Sequence, residues 1–186
     1  MKGLRTILLV TGLYVLARTI LYTYIAPVLA GVGLGDQVQW VLLDFGIASI
    51  ASIASIWLTG LLVDRHHRKL VVLSTVFFAV AAAALSLGAA VPAVDYLAAA
   101  AWGLAFGGAA TLFQSALMAA AGEHADAAQP MMVTTWNVGI GLGGLIGGLL
   151  LAGLGTESLM VAVAVLVATT AVIVVLARDH AFPPRR

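Results

Sequence analysis

Gly60-Leu61-Leu62-Val63-Asp64-Arg65-His66-His67-Arg68-Lys69 is the one dense run of charge in a sequence that is otherwise almost continuously apolar. A long hydrophobic segment ends on its N-terminal side and another begins directly after it. Arg65, Arg68 and Lys69 in so short a stretch predict a cytoplasmic loop between two membrane spans, because Lys and Arg collect on that side of a bilayer. Composition agrees. Of 186 residues, 62% are hydrophobic and 9% charged, and the mean hydropathy is +1.10. A soluble domain carries about a quarter charged residues, so most of this surface must face lipid. There are no cysteines, which excludes disulfides and thiolate metal sites.

Working outward, a hydrocarbon core of about 30 Å takes about twenty apolar residues to cross. Six spans fit, over 5–30, 38–62, 70–90, 94–119, 131–153 and 157–177. Turn chemistry separates them at 31–36, at the charged run, at 92–95, at the polar stretch 123–129 and at 153–157. The first apolar segment, behind Lys2 and Arg5, resumes after Arg18 and runs to Pro27. That is too long for the core of a signal peptide, so it is read as a retained span. Lys2, Arg5, Arg65, Arg68, Lys69, Arg178, Arg185 and Arg186 fall on one side, and the opposite loops carry Asp36, Asp95 and Glu157 instead. Both termini are therefore expected in the cytoplasm. The fold expected is an all-α membrane protein, with 1–186 forming a single six-helix transmembrane domain.

Polarity is unevenly shared among the spans. The third and sixth hold little beyond aliphatic residues, Phe and scattered Ser or Thr, which suits a lipid-facing periphery. Arg18 lies inside the first span, where a charge costs about 2.5–3.5 kcal/mol even on a lenient insertion scale. Tyr14 and Tyr22 are four residues to either side, so the three are expected on one helical face. That makes an aromatic-flanked cation suited to an anionic or aromatic ligand; the structural alternative is an arginine paired with a carboxylate or helix carbonyls, or one that snorkels. Asp44 is the carboxylate well within a span, about 9 Å below the outer end of the second helix. Its burial and a nearby Arg18 would act on its protonation in opposite directions, which is the competition a proton-coupling site needs. The plainer alternative is a solvated carboxylate near the outer mouth. Ala48, Ser52, Ser55 and Thr59 continue a small, weakly polar stripe below it, which predicts a close helix–helix seam.

In the fourth span Trp102, Phe106 and Phe113 recur at helical spacing with Gln114 adjacent, as a ligand wall or as packing. In the fifth, Asn137 precedes Gly139, Gly143 and Gly147, a four-residue glycine repeat that lets another helix approach closely. His66, His67, His124 and His180 show no convergent ligand spacing, and no phosphate loop, triad or zinc motif is present. No metal, cofactor, nucleic-acid partner or enzymatic activity is expected.

The run G-x-L-x-D-R-x-x-R-K, formed by Gly60, Leu62, Asp64, Arg65, Arg68 and Lys69, resembles the cytoplasmic-loop signature of the major facilitator superfamily. Tyr22-Thr23-Tyr24-Ile25-Ala26-Pro27, Leu112-Phe113-Gln114 and Thr135-Trp136-Asn137-Val138-Gly139 look like the C-terminal six-helix half of its bacterial sugar-efflux and drug/proton antiporters. The resemblance covers nearly the whole chain. It implies that helices one and four line a central cavity, two and five form the seam between halves, and three and six face lipid. It also implies that Asp64 latches the halves while the cytoplasmic side is closed. Here the latch would meet the start of the fifth helix of another subunit, near residues 131–134, where the helix dipole favours an anion. The chain departs from the family in having six spans rather than twelve in two halves.

The function expected is a half-size secondary active transporter in the bacterial cytoplasmic membrane. It would export or exchange a small organic solute by alternating access, with proton coupling, as a parallel homodimer whose two-fold axis replaces the family's pseudo-axis. The substrate pocket would use Arg18, Tyr14, Tyr22, Trp102, Phe106, Phe113 and Gln114, and Asp44 would couple protons. The gate would use Gly60, Asp64, Arg65, Arg68 and Lys69, and the seam Ser52, Ser55, Asn137, Gly139, Gly143 and Gly147. The alternatives are a non-transporting scaffold or regulatory half, or an excised or heteromeric half of a twelve-span transporter.

Overall fold

The structure, a computed structural model, describes residues 2–31, 38–88, 91–178 and 181–182. Residues 32–37 with Asp36, and His180, Pro183, Pro184, Arg185 and Arg186, lie outside the described residues. The described chain is helical: α1 (Lys2–Gly31), α2 (Val38–Gly88), α3 (Pro92–Gly107), α4 (Ala109–Ala121), a single 3-10 turn at Gly122–His124, α5 (Ala125–Leu154) and α6 (Thr156–Leu176). Four described stretches are long and apolar enough to cross a membrane: Gly3–Ala30, Phe45–Leu85, Ala93–Leu154 and Thr156–Leu176. The second and third have 41 and 62 residues. At 1.5 Å per residue these run to roughly 60 and 90 Å, against a core of about 30 Å, so each has length for more than one crossing.

The charged run is a tight turn between two helical arms of α2, in which one residue, His66, leaves helical geometry (φ −129°, ψ 24°). The contacts on either side show that the chain turns back there. Before His66, Ala48 faces Gly103, Ser52 faces Gly107 and Thr59 faces Gly108, so this arm runs parallel to α3. After it, His67 reaches Leu112, Ser74 reaches Ala105 and Leu85 lies beside Asp95, so the second arm runs antiparallel. The polar stretch 123–129 is helical rather than a loop, and α5 begins at Ala125. Its dipole end is thus Ala125, not 131–134, which corrects the place expected for an Asp64 latch. α1 bends at Tyr24 (φ −113°, ψ 19°), because Pro27 has no N–H for the Thr23 carbonyl and its ring crowds that turn. The helix still continues to Gly31.

With no hydrophobic drive between helices in lipid, close packing and polar contacts must hold the bundle together. Glycine supplies the first. A Cβ at Gly139 would come within 3.0 Å of Val15, one at Gly143 within 2.7 Å of Thr19, and one at Gly147 would strike the Tyr24 ring. The glycine repeat of α5 therefore seats α1 of the same chain. The stripe of Ala48, Ser52, Ser55 and Thr59 likewise seats α3, with Gly103, Gly107 and Gly108 opposite. Ser52, Ser55, Gly139, Gly143 and Gly147 thus make close helix contacts within the chain. Asn137 is exposed and donates back to the Val133 carbonyl at 2.8 Å.

Serine supplies the second. The Ser55 hydroxyl donates to the Leu104 carbonyl at 2.7 Å and accepts from Gly108 N–H at 3.2 Å. It stands between the two groups that a continuous helix would join directly, and a side chain inserted into the ladder breaks a helix there. This is why α3 and α4 are separate elements. Tyr14 completes the core. Fully buried, it packs edge-on against Phe78 and Phe113 at 5.1 and 5.2 Å, its hydroxyl donates to the Ala105 carbonyl at 2.8 Å and lies 3.1 Å from Ser74 Oγ. We expect Tyr14→Phe to cost about 0.5–1.5 kcal/mol, read as a lower Tm in detergent, because Ser74 still bonds to the same carbonyl at 2.7 Å.

Candidate substrate cavity

A cavity of about 140 Å³ opens between α1, the first arm of α2 and α3. α1 contributes Arg18 and Tyr22, α2 contributes Phe45, Ala48, Ser49 and Ser52, and α3 contributes Trp102, Gly103 and Phe106. It exists because α1 and α2 touch at few places while both pack on the α3–α4 segment. Phe45, Ala48, Ser49 and Ser52 recur at three- and four-residue steps and so share a face. Sequence reasoning missed the place of Phe45 and Ser49 here, although that spacing could have revealed it.

Arg18 is the charged group of the site. Its guanidinium carbon sits 4.0 Å from the Phe106 ring centroid and 4.6 Å from that of Tyr22. Each such contact is worth about 0.5–2 kcal/mol, more when dry. Its Nε is buried and has no hydrogen-bond partner among the described residues. The ring contacts thus offset part of the cost of the buried charge but satisfy none of its directed donors. Around it the aromatics brace one another: Tyr22 lies 5.3 Å from Phe45 and 6.1 Å from Trp102, and Phe106 lies 6.5 Å from Trp136. A second small void, lined by Ile25, Phe45, Leu85, Asp95, Ala99 and Trp102, shares its Phe45 and Trp102 wall with the cavity. Asp95, expected in an exposed loop, lies in the first turn of α3 and is 3% exposed, where the helix N-terminus favours an anion.

Four of the residues expected in the pocket, Arg18, Tyr22, Trp102 and Phe106, meet around the cavity. Tyr14 and Phe113 do not; both are buried in the aromatic core. The reason is geometric: each four-residue step on a helix drifts about 40°, so Tyr14 and Tyr22 diverge by about 80° and only Tyr22, 47% exposed, reaches the open side. Gln114 is exposed on α4 and does not line the cavity. The Asp44 side chain lies outside the described residues.

At the other end of the bundle, Gly60, Asp64, Arg65 and Lys69 are exposed on α2. His67 is buried, its Nε2 bonded to the Leu112 carbonyl at 2.9 Å. Arg68 donates to the Phe182 carbonyl at 3.0 Å, which ties the turn to the segment after α6 rather than to its own loop. No cluster of three or more His, Cys, Asp or Glu occurs among the described residues. Among the described residues the cavity offers one cation, two serine hydroxyls and aromatic walls.

The family model described as Major Facilitator Superfamily matches residues 7–186. No curated protein matches the chain. Among solved structures, the chain is similar to the POT family transporter PepTSo, with a TM-score of 0.81 at 18% identity over all of this chain. At that identity the likeness speaks for the fold alone. The chain spans 39% of the length of that transporter.

Proposed function

The chain belongs to the Major Facilitator Superfamily, and from that premise we propose that it is a half-size secondary transporter moving a small organic anion by alternating access. The observation that carries this reading is Arg18, a cation held between two aromatic rings at an open cavity with its Nε unpartnered among the described residues. A ligand carboxylate or phosphate in the cavity would pair with the guanidinium in a charge-assisted bond. Benzoate, a flat carboxylate, is a suitable probe in calorimetry with the purified protein. Arg18→Gln should weaken its binding by about 1.5–3 kcal/mol, the range for a hydrogen bond to a charged group. Equal heats from wild type and variant would defeat the proposal.

In this reading the two arms of α2 are separate spans and the bundle crosses the membrane six times, with both termini in the cytoplasm. The antiparallel arms and the basic residues gathered near the His66 turn support it. Among the described residues the cavity is walled by α1, α2 and α3, and a second copy, parallel and two-fold related, would close it. Ile50, Ile53, Trp57 and Leu61 on α2 and Leu145 and Leu149 on α5 are exposed and available to such a contact. A second reading, in which the other half is a different chain, draws on the 39% coverage of PepTSo. Native mass spectrometry from nanodiscs separates them: twice the mass of one chain supports the homodimer, and a strict monomer sinks it. Proton coupling is assigned to Asp44, so Asp44→Asn should remove the pH dependence of transport; coupling that survives would place it elsewhere. Asp64 is assigned to the gate, so Asp64→Asn should shift distances between spin labels at the α2 turn and the start of α5.

A further inference from the structure

A groove of about 770 Å³ lies at the α2 turn, away from Arg18, lined by Arg65, His66, Arg68, Lys69, Val72 and Leu73 among others. The Arg68 guanidinium is engaged with the Phe182 carbonyl, so among the described residues Arg65 and Lys69, both exposed, are the cations that project at the groove. Asp64 offsets one of the three fixed positive charges in the run. The groove is not uniformly polar: Val72 and Leu73 line the side toward the body of the helix. From Leu73 an exposed apolar track continues along the arm through Val76, Phe77 and Val80, at 49, 45, 40 and 55% exposure. Their three- and four-residue spacing keeps them on one helical face. A basic mouth opening onto an apolar track is complementary to one kind of molecule, an anion that carries hydrocarbon chains.

We propose that this groove binds the headgroup of an anionic phospholipid, with its phosphate at Arg65 and Lys69 and its acyl chains along Leu73, Phe77 and Val80. Basic pockets at the ends of membrane helices hold anionic headgroups by charge, and here the continuous apolar track supplies the second half of the match. The site makes no use of the Arg18 cavity, so it stands whether or not the chain transports a solute. It would fix the depth and rotation of the α2 turn in the bilayer through the lipid's own interfacial position.

The test is competitive lipid retention by the full-length protein in native mass spectrometry, with equimolar phosphatidylglycerol and phosphatidylcholine of identical acyl chains. Wild type should retain phosphatidylglycerol in clear preference. A basic residue near an anionic headgroup is worth about fivefold in affinity, so Arg65→Gln with Lys69→Gln should lower that preference roughly thirtyfold. The charge-keeping exchange Arg65→Lys with Lys69→Arg should retain it, which guards against misfolding as the cause. Lys2→Gln with Arg5→Gln, an equal loss of charge elsewhere, should leave it nearly unchanged. Equal retention of the two lipids by wild type overturns the proposal, as does an equal loss in the Lys2 and Arg5 variant. Displacement of phosphatidylglycerol by millimolar inorganic phosphate also overturns it, because the groove would then be a free-anion site.

Discussion

Arg18→Leu is expected to raise the stability of the protein by about 1–3 kcal/mol while abolishing benzoate binding. The two effects have one cause. An arginine at the centre of a membrane helix costs about 2.5–3.5 kcal/mol, and leucine there is favourable by a few tenths. The stacking of the guanidinium on Phe106 and Tyr22 offsets part of that cost, by about 0.5–2 kcal/mol per contact. The Nε, unpartnered among the described residues, marks what is left. A group kept at a net cost to the fold is explained by what it binds, as strain at functional sites generally is. Thermal unfolding in detergent, with and without ligand, reads both halves. A fall in Tm would mean that Arg18 is held by a structural partner, and the case for a ligand site would go with it. Arg18→Lys should bind more weakly than wild type, because an ammonium cannot present the planar fork that guanidinium offers a carboxylate.

The largest destabilisation is expected from Gly107→Val. A Cβ at Gly107 would strike the Ser52 carbonyl oxygen and come within 2.8 Å of the Ser52 Cα. These are backbone atoms, and no rotamer change can move them aside. α2 and α3 must separate along their length, and the expected cost is about 3 kcal/mol or more, the upper end for overpacking. The same substitution at Gly141, where nothing lies within 4 Å, should change stability by no more than about 0.5 kcal/mol. Gly107→Val has a functional consequence as well. Phe45, Ser49 and Ser52 reach the cavity only because α2 lies tightly on α3, so benzoate binding should fall in protein that remains folded. Similar Tm values for the Gly107 and Gly141 variants would refute the close seam.

How much of this was legible in the sequence depended on the kind of signal. Membrane character, all-helical structure and family membership followed from composition, from apolar run length and from the G-x-L-x-D-R-x-x-R-K run, because the bilayer imposes one dominant constraint on every residue it touches. Arg18 was legible for the same reason: a charge inside a span is costly, and its cost is visible without a fold. Small residues at four-residue spacing announced close packing in the α5 glycines and in the stripe from Ala48 to Thr59.

The partner of each face was not legible. Gly139, Gly143 and Gly147 read as a seam of unspecified ownership, and only the tertiary structure assigns them to α1 of the same chain. Tyr14 and Tyr22 looked equivalent about Arg18, yet a rotation of about 80° along the helix sends one into the aromatic core and the other to the cavity. Phe45 and Ser49 became cavity residues only when α1, α2 and α3 were set side by side. The turn at His66, next to the His67 bond to Leu112, and the break at Gly108, where Ser55 enters, involve contacts 45 and 53 residues apart in sequence. Sequence by itself determined the solvent the protein lives in, the class of its fold and the residue whose charge is costly inside a span. Tertiary structure alone decided which helix faces meet, because a face is chosen by the shape of its neighbour and that shape is not a property of any one stretch of chain.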